Sequence, residues 1–238
     1  MCGRIALFTP PIRLARFLDA ALAAGIDPEG RPSWNVGPQQ TLFALTVDGA
    51  GDRTLGRYRW GLLPSWAKDP TLANRLFNAR AETITEKPSF RSAFAKRPCV
   101  IPVDGFYEWD HREGRQRQPH YFTRRDGTPL LLAGLHETWI DRNDPDAPPR
   151  HTCTVITTTP NDDIEGIHDR MPAMLVTAEQ RAAWLNERTP IKEIRTLLGA
   201  APDSHLLARR VSRAVSNARN DGPSLIDEIP DERAGLGL

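Results

Sequence analysis

The runs PHYFT and LLLAGLHETWI stand either side of RRDGTP. An Asp-Gly pair between two strand-like segments is the strongest short-range signal for a hairpin, so Asp126 and Gly127 are expected to turn one strand back on the other. The pattern recurs through the middle of the chain. TLFALTV and TLGRYRW are separated by DGAGD, CVIPV and FYEW lie either side of Asp104 and Gly105, and HTCTVITTTP and AMLVT read as two further strands. Connections this short join antiparallel neighbours, because parallel strands need a long crossover.

Helical periodicity is confined to the flanks. In IRLARFLDAALAAG, Ile12, Ala15, Leu18 and Leu22 recur at three and four residues, Gly25 closes the run and Thr9 is placed as its cap. Thr177 with Gln180 resembles a capping box opening AEQRAAWL, and Thr189 with Pro190 opens IKEIRTLL ahead of Gly199. The expected class is therefore α+β rather than βαβ winding. With 238 residues, no internal repeat and no long linker, one domain over 1–222 is expected, followed by a mobile tail over 223–238. RNDPDAPPR reads as a loop within that domain.

Composition matters for what it excludes. A net charge of +1 removes the simplest argument for nucleic-acid binding, a basic chain overall, so such a role needs local patches. Arg91, Lys96 and Arg97 supply one; Arg112, Arg115, Arg117, Arg124 and Arg125 a second; Arg209, Arg210, Arg213 and Arg219 a third. No apolar run has the length of a spanning helix and the amino terminus lacks a signal-peptide pattern, so no membrane association is expected and a reducing cytoplasm is the default. Three cysteines, Cys2, Cys99 and Cys153, without CxxC spacing suggest neither a disulfide framework nor a metal site. No cofactor is implied, and the chain is expected to be monomeric.

Five clusters carry polar groups that a core does not require. SWNVGPQQ holds Asn35 and Pro38 among turn residues. YRWGLLPSWAKDP holds Trp60 and Trp66, core residues or flat platforms for unpaired bases. FNARAET alternates Asn78, Arg80 and Glu82, which a strand would put on one face. DGFYEWD sets Glu108 between aromatics, where desolvation would raise its pKa toward the range useful for proton transfer. GIHDRMPAML sets His168 beside Asp169 and Arg170, where a histidine can serve as acid or base. To these is added Cys2. If Met1 is removed, Cys2 carries a thiol and a free α-amine two carbons apart. Such an amine has a reference pKa of about 7.7 to 8.0 and attacks aldehydes to give imines. A thiol on the next carbon can add to the imine and close a thiazolidine.

MCGR, WNVGP, RWGLLPSW, NARAET, GFYEW, HDRMP and VSRAV, in that order from Met1 to about Asn220, resemble the SRAP family, named for SOS-response-associated peptidases. The resemblance implies a single α+β domain around a barrel-like antiparallel core with flanking helices. It also implies a protein that senses abasic sites in single-stranded DNA and links to the ring-opened sugar through its amino-terminal cysteine, shielding the lesion from cleavage. Carried over residue by residue, Cys2 is the cross-linking nucleophile and Asn78, Glu108 and His168 complete the catalytic group. Arg4, Asn35, Pro38, Trp66, Arg80, Arg170, Ser212 and Arg213 fall to DNA contact. Met171 stands where some relatives carry another basic residue. Two other activities are weighed beside this one: a thiol peptidase pairing Cys2 with His168, acting on peptides in general or only on Met1, and a non-covalent single-strand binding module. An imine that is not captured by the thiol would make the protein a lyase that nicks the strand.

Overall fold

The turn at Asp126 and Gly127 forms, but it joins strands of two different sheets. Gly127 sits at φ +74 with its N–H donating to the Arg124 carbonyl at 3.0 Å, and Asp126 Oδ1 accepts from the Thr128 N–H at 3.0 Å. The computed structural model describes residues 2–110, 112, 117–144 and 146–230; Arg115 and residues 231–238 of the expected tail lie outside them. Over the described residues the chain runs β1 (Ile5–Leu7), α1 (Pro11–Phe17), β2 (Ala21–Leu22), β3 (Ser33–Val36), β4 (Thr41–Val47), β5 (Arg53–Trp60) and β6 (Asn78–Arg80). It continues through α2 (Arg91–Lys96), β7 (Pro98–Val103), β8 (Gly105–Asp110), β9 (Gln118–Arg124), β10 (Leu130–Trp139) and β11 (Arg150–Thr158). Then come α3 (Asp162–Glu165), β12 (Met171–Pro172), α4 (Ala178–Leu185), α5 (Ile191–Thr196) and β13 (Leu206–Arg210).

Five strands close a barrel in the order β5-β4-β7-β10-β11, sealed where β11 pairs in parallel with β5 through Thr152 opposite Arg59 and Cys153 opposite Trp60. The expected hairpin of β4 and β5 is there, with Val47 opposite Arg53 across the turn. β10 shows why the Asp126 hairpin does not pair. Leu130 to Leu135 are all buried and need barrel neighbours on both sides, which β7 and β11 supply, so β9 is left to pair with β8 and β13 instead. A turn reverses the chain; it does not decide which edges bond. The second sheet, ordered β13-β9-β8-β1-β3, lays Ile5, Leu7, Phe106 and Phe122 against the barrel in one shared core.

Three local expectations are corrected. α1 stops at Phe17 rather than running to Gly25, because Asp19 takes a left-handed φ of 50 and Ala21 and Leu22 pair with Thr54 and Leu55; the apolar spacing had fused a helix with a strand. Thr9 does not cap it: its hydroxyl and N–H both bond the Asp104 carboxylate, and Pro10 precedes the helix. AMLVT does not form a strand either. The pairing residues are Met171 and Pro172, and beyond them only Met174 makes an isolated bridge, to Leu132. The capping box at α4 is present in both directions. Of the expected tail, Pro223–Ile226 form a 3-10 turn whose Leu225 is buried with Tyr107, Tyr121, Val211 and Val215, and the Ile229 N–H bonds the Arg210 carbonyl at 2.9 Å.

One glycine sets the direction of the loop that follows β5. Gly61 has φ +136, and a Cβ there would lie 2.4 Å from the Ala73 carbonyl oxygen. Gly61→Ala is expected to cost roughly 3 kcal/mol or more, through a disallowed conformation and a clash with backbone that cannot move aside. A denaturant midpoint within error of the parent would contradict this. No helix among the described residues is long and apolar enough to cross a membrane.

Candidate functional site

Register brings the amino terminus to the acid. Ile5 pairs with Phe106 and the Tyr107 N–H donates to the Arg4 carbonyl at 2.9 Å, so continuing the antiparallel pairing carries Cys2 to the end of β8 where Glu108 stands. From the barrel side, β6 lies parallel to β11 with Asn78 opposite Val155, and Asn78 Nδ2 donates to the Cys2 carbonyl at 2.6 Å. One amide thus pins the chain start to the barrel edge. Cys2 is fully buried, and burial first, then the negative charge of Glu108, pushes its thiol well above the ordinary range. The sulfur is protonated at neutral pH. Cys99 and Cys153 are free thiols buried in the barrel strands β7 and β11.

Glu108 is not on an exposed face; only 2% of it is accessible, and burial raises its carboxyl from 4.5 to about 7, with the charge of Asp169 adding to the rise. β8 is packed on both faces here, with Phe106, Tyr107, Glu108 and Asp110 all buried. His168 follows α3, its N–H bonded to the Ile164 carbonyl at 2.9 Å, and its Nε2 lies 3.5 Å from Glu108 Oε2. At Nδ1 the Arg170 N–H donates at 3.0 Å, which favours the neutral tautomer with its proton on Nε2, toward Glu108. The same Nδ1 is 3.1 Å from Asp169 Oδ1 and 3.2 Å from the Arg170 carbonyl, acceptors for the protonated ring. The ring has partners in both states, as a proton carrier requires.

A cleft of about 750 Å³ opens beside this group, lined by Arg80, Arg112, Glu165, His168, Asp169 and Arg170. Arg80 shares a strand face with Asn78, as the alternation predicts, with buried Ala79 pointing the other way. Glu82 falls beyond β6 and does not extend that face. It grips Arg170 through two bonds of 2.6 and 2.9 Å, and Arg170 Nη2 also donates to the Thr157 carbonyl at 2.6 Å. The guanidinium of Arg170 is therefore engaged in holding the His168 loop against β11. Met171 is buried in β12, its sulfur accepting from the Asn161 N–H, so it presents nothing to the surface. Arg112 was not singled out in the sequence beyond its basic stretch. It pairs with Asp110 at 2.6 Å, holding that carboxyl at about 2, and extends the basic wall of the cleft. Its signal was its place two residues after GFYEWD. Among the described residues no three His, Cys, Asp or Glu side chains group as metal ligands.

The other residues assigned to DNA contact are placed differently. Trp60 is core, its Nε1 bonded to the Phe77 carbonyl, whereas Trp66 is half exposed on the loop after β5. Pro38 is half-buried in the turn between β3 and β4. Ser212 caps the 3-10 turn Arg213–Ser216 by accepting from the Ala214 N–H at 3.2 Å, and Arg213 is exposed on that turn. Asn35 is almost wholly buried and acts as a clasp: its Oδ1 takes Arg4 Nη1 at 2.9 Å, and its Nδ2 reaches the carbonyls of Asn217 and Asn220 at 3.1 and 2.7 Å. Burial lowers the pKa of Arg4. Asn35→Ala is expected to cost roughly 1 to 2 kcal/mol, since it removes a partner from the Arg4 guanidinium and from the Asn220 carbonyl, while the Asn217 carbonyl keeps the Asn220 N–H. Proteolysis after Asn217 should accelerate with it; an unchanged melting temperature would contradict the clasp.

A buried thiol at the chain start, clamped by a strand-edge amide beside an acid and a histidine, on a barrel backed by a second sheet, defines a family and not only a fold. The chain matches the family model described as SOS response associated peptidase (SRAP) over residues 1–218, and it belongs to that family. It is 40% identical over 233 residues to abasic site processing protein YoqW of Bacillus subtilis (strain 168), covering 95% of this chain and 99% of that one. It is 32% identical over 229 residues to abasic site processing protein HMCES of Xenopus tropicalis, covering 84% of this chain and 67% of that one. Among solved structures, a crystal structure of a protein from Bacteroides thetaiotaomicron superposes with a TM-score of 0.82 at 25% identity, over 96% of this chain and all of the other.

Proposed function

We propose that this protein captures abasic sites in single-stranded DNA as a thiazolidine on Cys2, once Met1 has been removed. The observation that carries the proposal is the clamp of Asn78 on the Cys2 carbonyl beside a buried carboxyl whose pKa is about 7. The α-amine of Cys2 attacks C1′ of the open-chain sugar. Asn78 Oδ1, buried and without a hydrogen-bond partner, is the acceptor that orients that amine. Glu108, half protonated near neutrality, relays the two amine protons to the carbonyl oxygen, which leaves as water and yields the imine. Cys2 Sγ then bonds to the imine carbon, and the thiol proton passes through His168 or Glu108 to the nitrogen. The net change is one C–N and one C–S bond formed and one water released. Protonation of the ring nitrogen by Glu108 reverses the sequence. Arg80 and Arg112 hold the flanking phosphates, and Trp66 stacks a base.

A protonated thiol suits this order of events, because the amine reacts first and the sulfur closes the ring afterwards. It suits general thiol proteolysis poorly, since the nucleophile there is the thiolate and burial disfavours it at Cys2. Intact mass of the purified protein before and after incubation with a single-stranded oligonucleotide bearing one abasic site tests the proposal. The expected result is loss of Met1 and a heat-stable species equal to protein plus oligonucleotide minus one water. An unchanged protein mass after incubation would overturn it.

A further inference from the structure

On the outer face of the second sheet, and sharing no residue with the cleft beside His168, lies a second cleft of about 420 Å³. α1 contributes Arg13, the end of β9 contributes Arg124 and Arg125, and β13 contributes Arg209, with Phe8 and Ile226 as apolar walls. Pairing of Arg209 with Tyr121 and of Leu207 with Thr123 places these side chains on one face. One carboxylate lines the cleft, and a second stands just outside it. Asp104 lies inside but already accepts from the N–H groups of Phe8 and Thr9 and from the Thr9 hydroxyl, and Asp126 pairs with Arg124 at 3.1 Å. Arg125 is held rigid by the carbonyls of Ser204 and Leu206, each at 3.0 Å. Four guanidinium groups line the cleft with one carboxylate, and even with Asp126 neutralising Arg124 an excess of positive charge remains. The second observation is Tyr121, which lines the cleft with 1% of its surface accessible and whose hydroxyl has no hydrogen-bond partner.

We infer that this cleft binds a phosphate group, received by Arg13 and Arg209 and by the orphan hydroxyl of Tyr121. Guanidinium forks match phosphate oxygens, and burial keeps the Tyr121 phenol protonated and therefore a donor. The volume admits a single nucleotide, whose sugar and base would lie against Phe8 and Ile226. The phosphate comes either from a nucleic-acid strand running over this face or from a free small molecule.

Calorimetric titration separates these sources. Inorganic phosphate, thymidine 5′-monophosphate, an unmodified single-stranded dodecamer and a glutamate heptapeptide are each titrated into the full chain, into Arg13→Gln/Arg209→Gln and into Tyr121→Phe. At least one phosphate-bearing probe should lose about tenfold in affinity in the double variant and about threefold in Tyr121→Phe, which deletes only an oxygen. Loss confined to the dodecamer identifies a strand; equal loss for the mononucleotide or phosphate identifies a free ligand. Affinities unchanged by both variants, or a heptapeptide that binds as tightly as the phosphates, would overturn the inference.

Discussion

Cys2→Ala should abolish the heat-stable adduct with abasic DNA while strand nicking rises. Alanine at position two leaves the α-amine available, so imine formation survives. What is lost is the sulfur that removes the imine from reach of elimination. An uncaptured imine acidifies the neighbouring sugar C–H, and β-elimination then breaks the strand. On a denaturing gel, trapped product should fall by about two orders of magnitude, while nicked product rises several-fold over the parent. Folding is not the confounding factor, because removing one buried sulfur costs on the order of 1 kcal/mol. Cys99→Ala and Cys153→Ala make the same change in barrel strands and should leave both products as they are. Equal nicking by the parent and Cys2→Ala would sink the protective role of the thiol.

What the sequence made legible was what is decided within a few residues. The β4–β5 hairpin and the Thr177 capping box form as expected because turn and cap chemistry are complete within their own windows. The Asp126 turn was legible as a reversal but not as a pairing, since the partners of β10 are set by burial on both its faces. The helix expected over residues 12–25 failed for a related reason: a 3.6-residue spacing of apolar groups does not reveal that Asp19 turns left-handed midway. At the site, Asn78 and Cys2 are 76 residues apart, and no local pattern announces their hydrogen bond; only the ordered motifs put them together. The resemblance named Arg170 as a DNA contact, while its fork proves to be held by Glu82 and Thr157. Residue type marked the guanidinium. Only packing shows what it grips.

Glu108→Gln should slow adduct formation and reversal by about a hundredfold and yet stabilise the fold at high pH. Both effects come from one fact, that burial raises this carboxyl from 4.5 to about 7. The folded state binds the Glu108 proton more tightly than the unfolded chain does. The resulting stability is complete below about pH 4.5 and disappears as pH climbs through about 7, where the native protein must ionise a desolvated carboxylate. A shift of that size corresponds to roughly 3 kcal/mol as an upper figure. Glutamine has no proton to lose, so the variant should melt with the parent near pH 4.5 and well above it at pH 9. Over the same interval the adduct rate of the parent should show an inflection near 7 that Glu108→Gln lacks. Equal melting temperatures at pH 9 would show that the carboxylate is not desolvated in solution, and an inflection that survives the substitution would take the proton transfer away from Glu108. Glu108 is the group to test first, because an acid kept buried against its own stability is the expected mark of a group retained for chemistry.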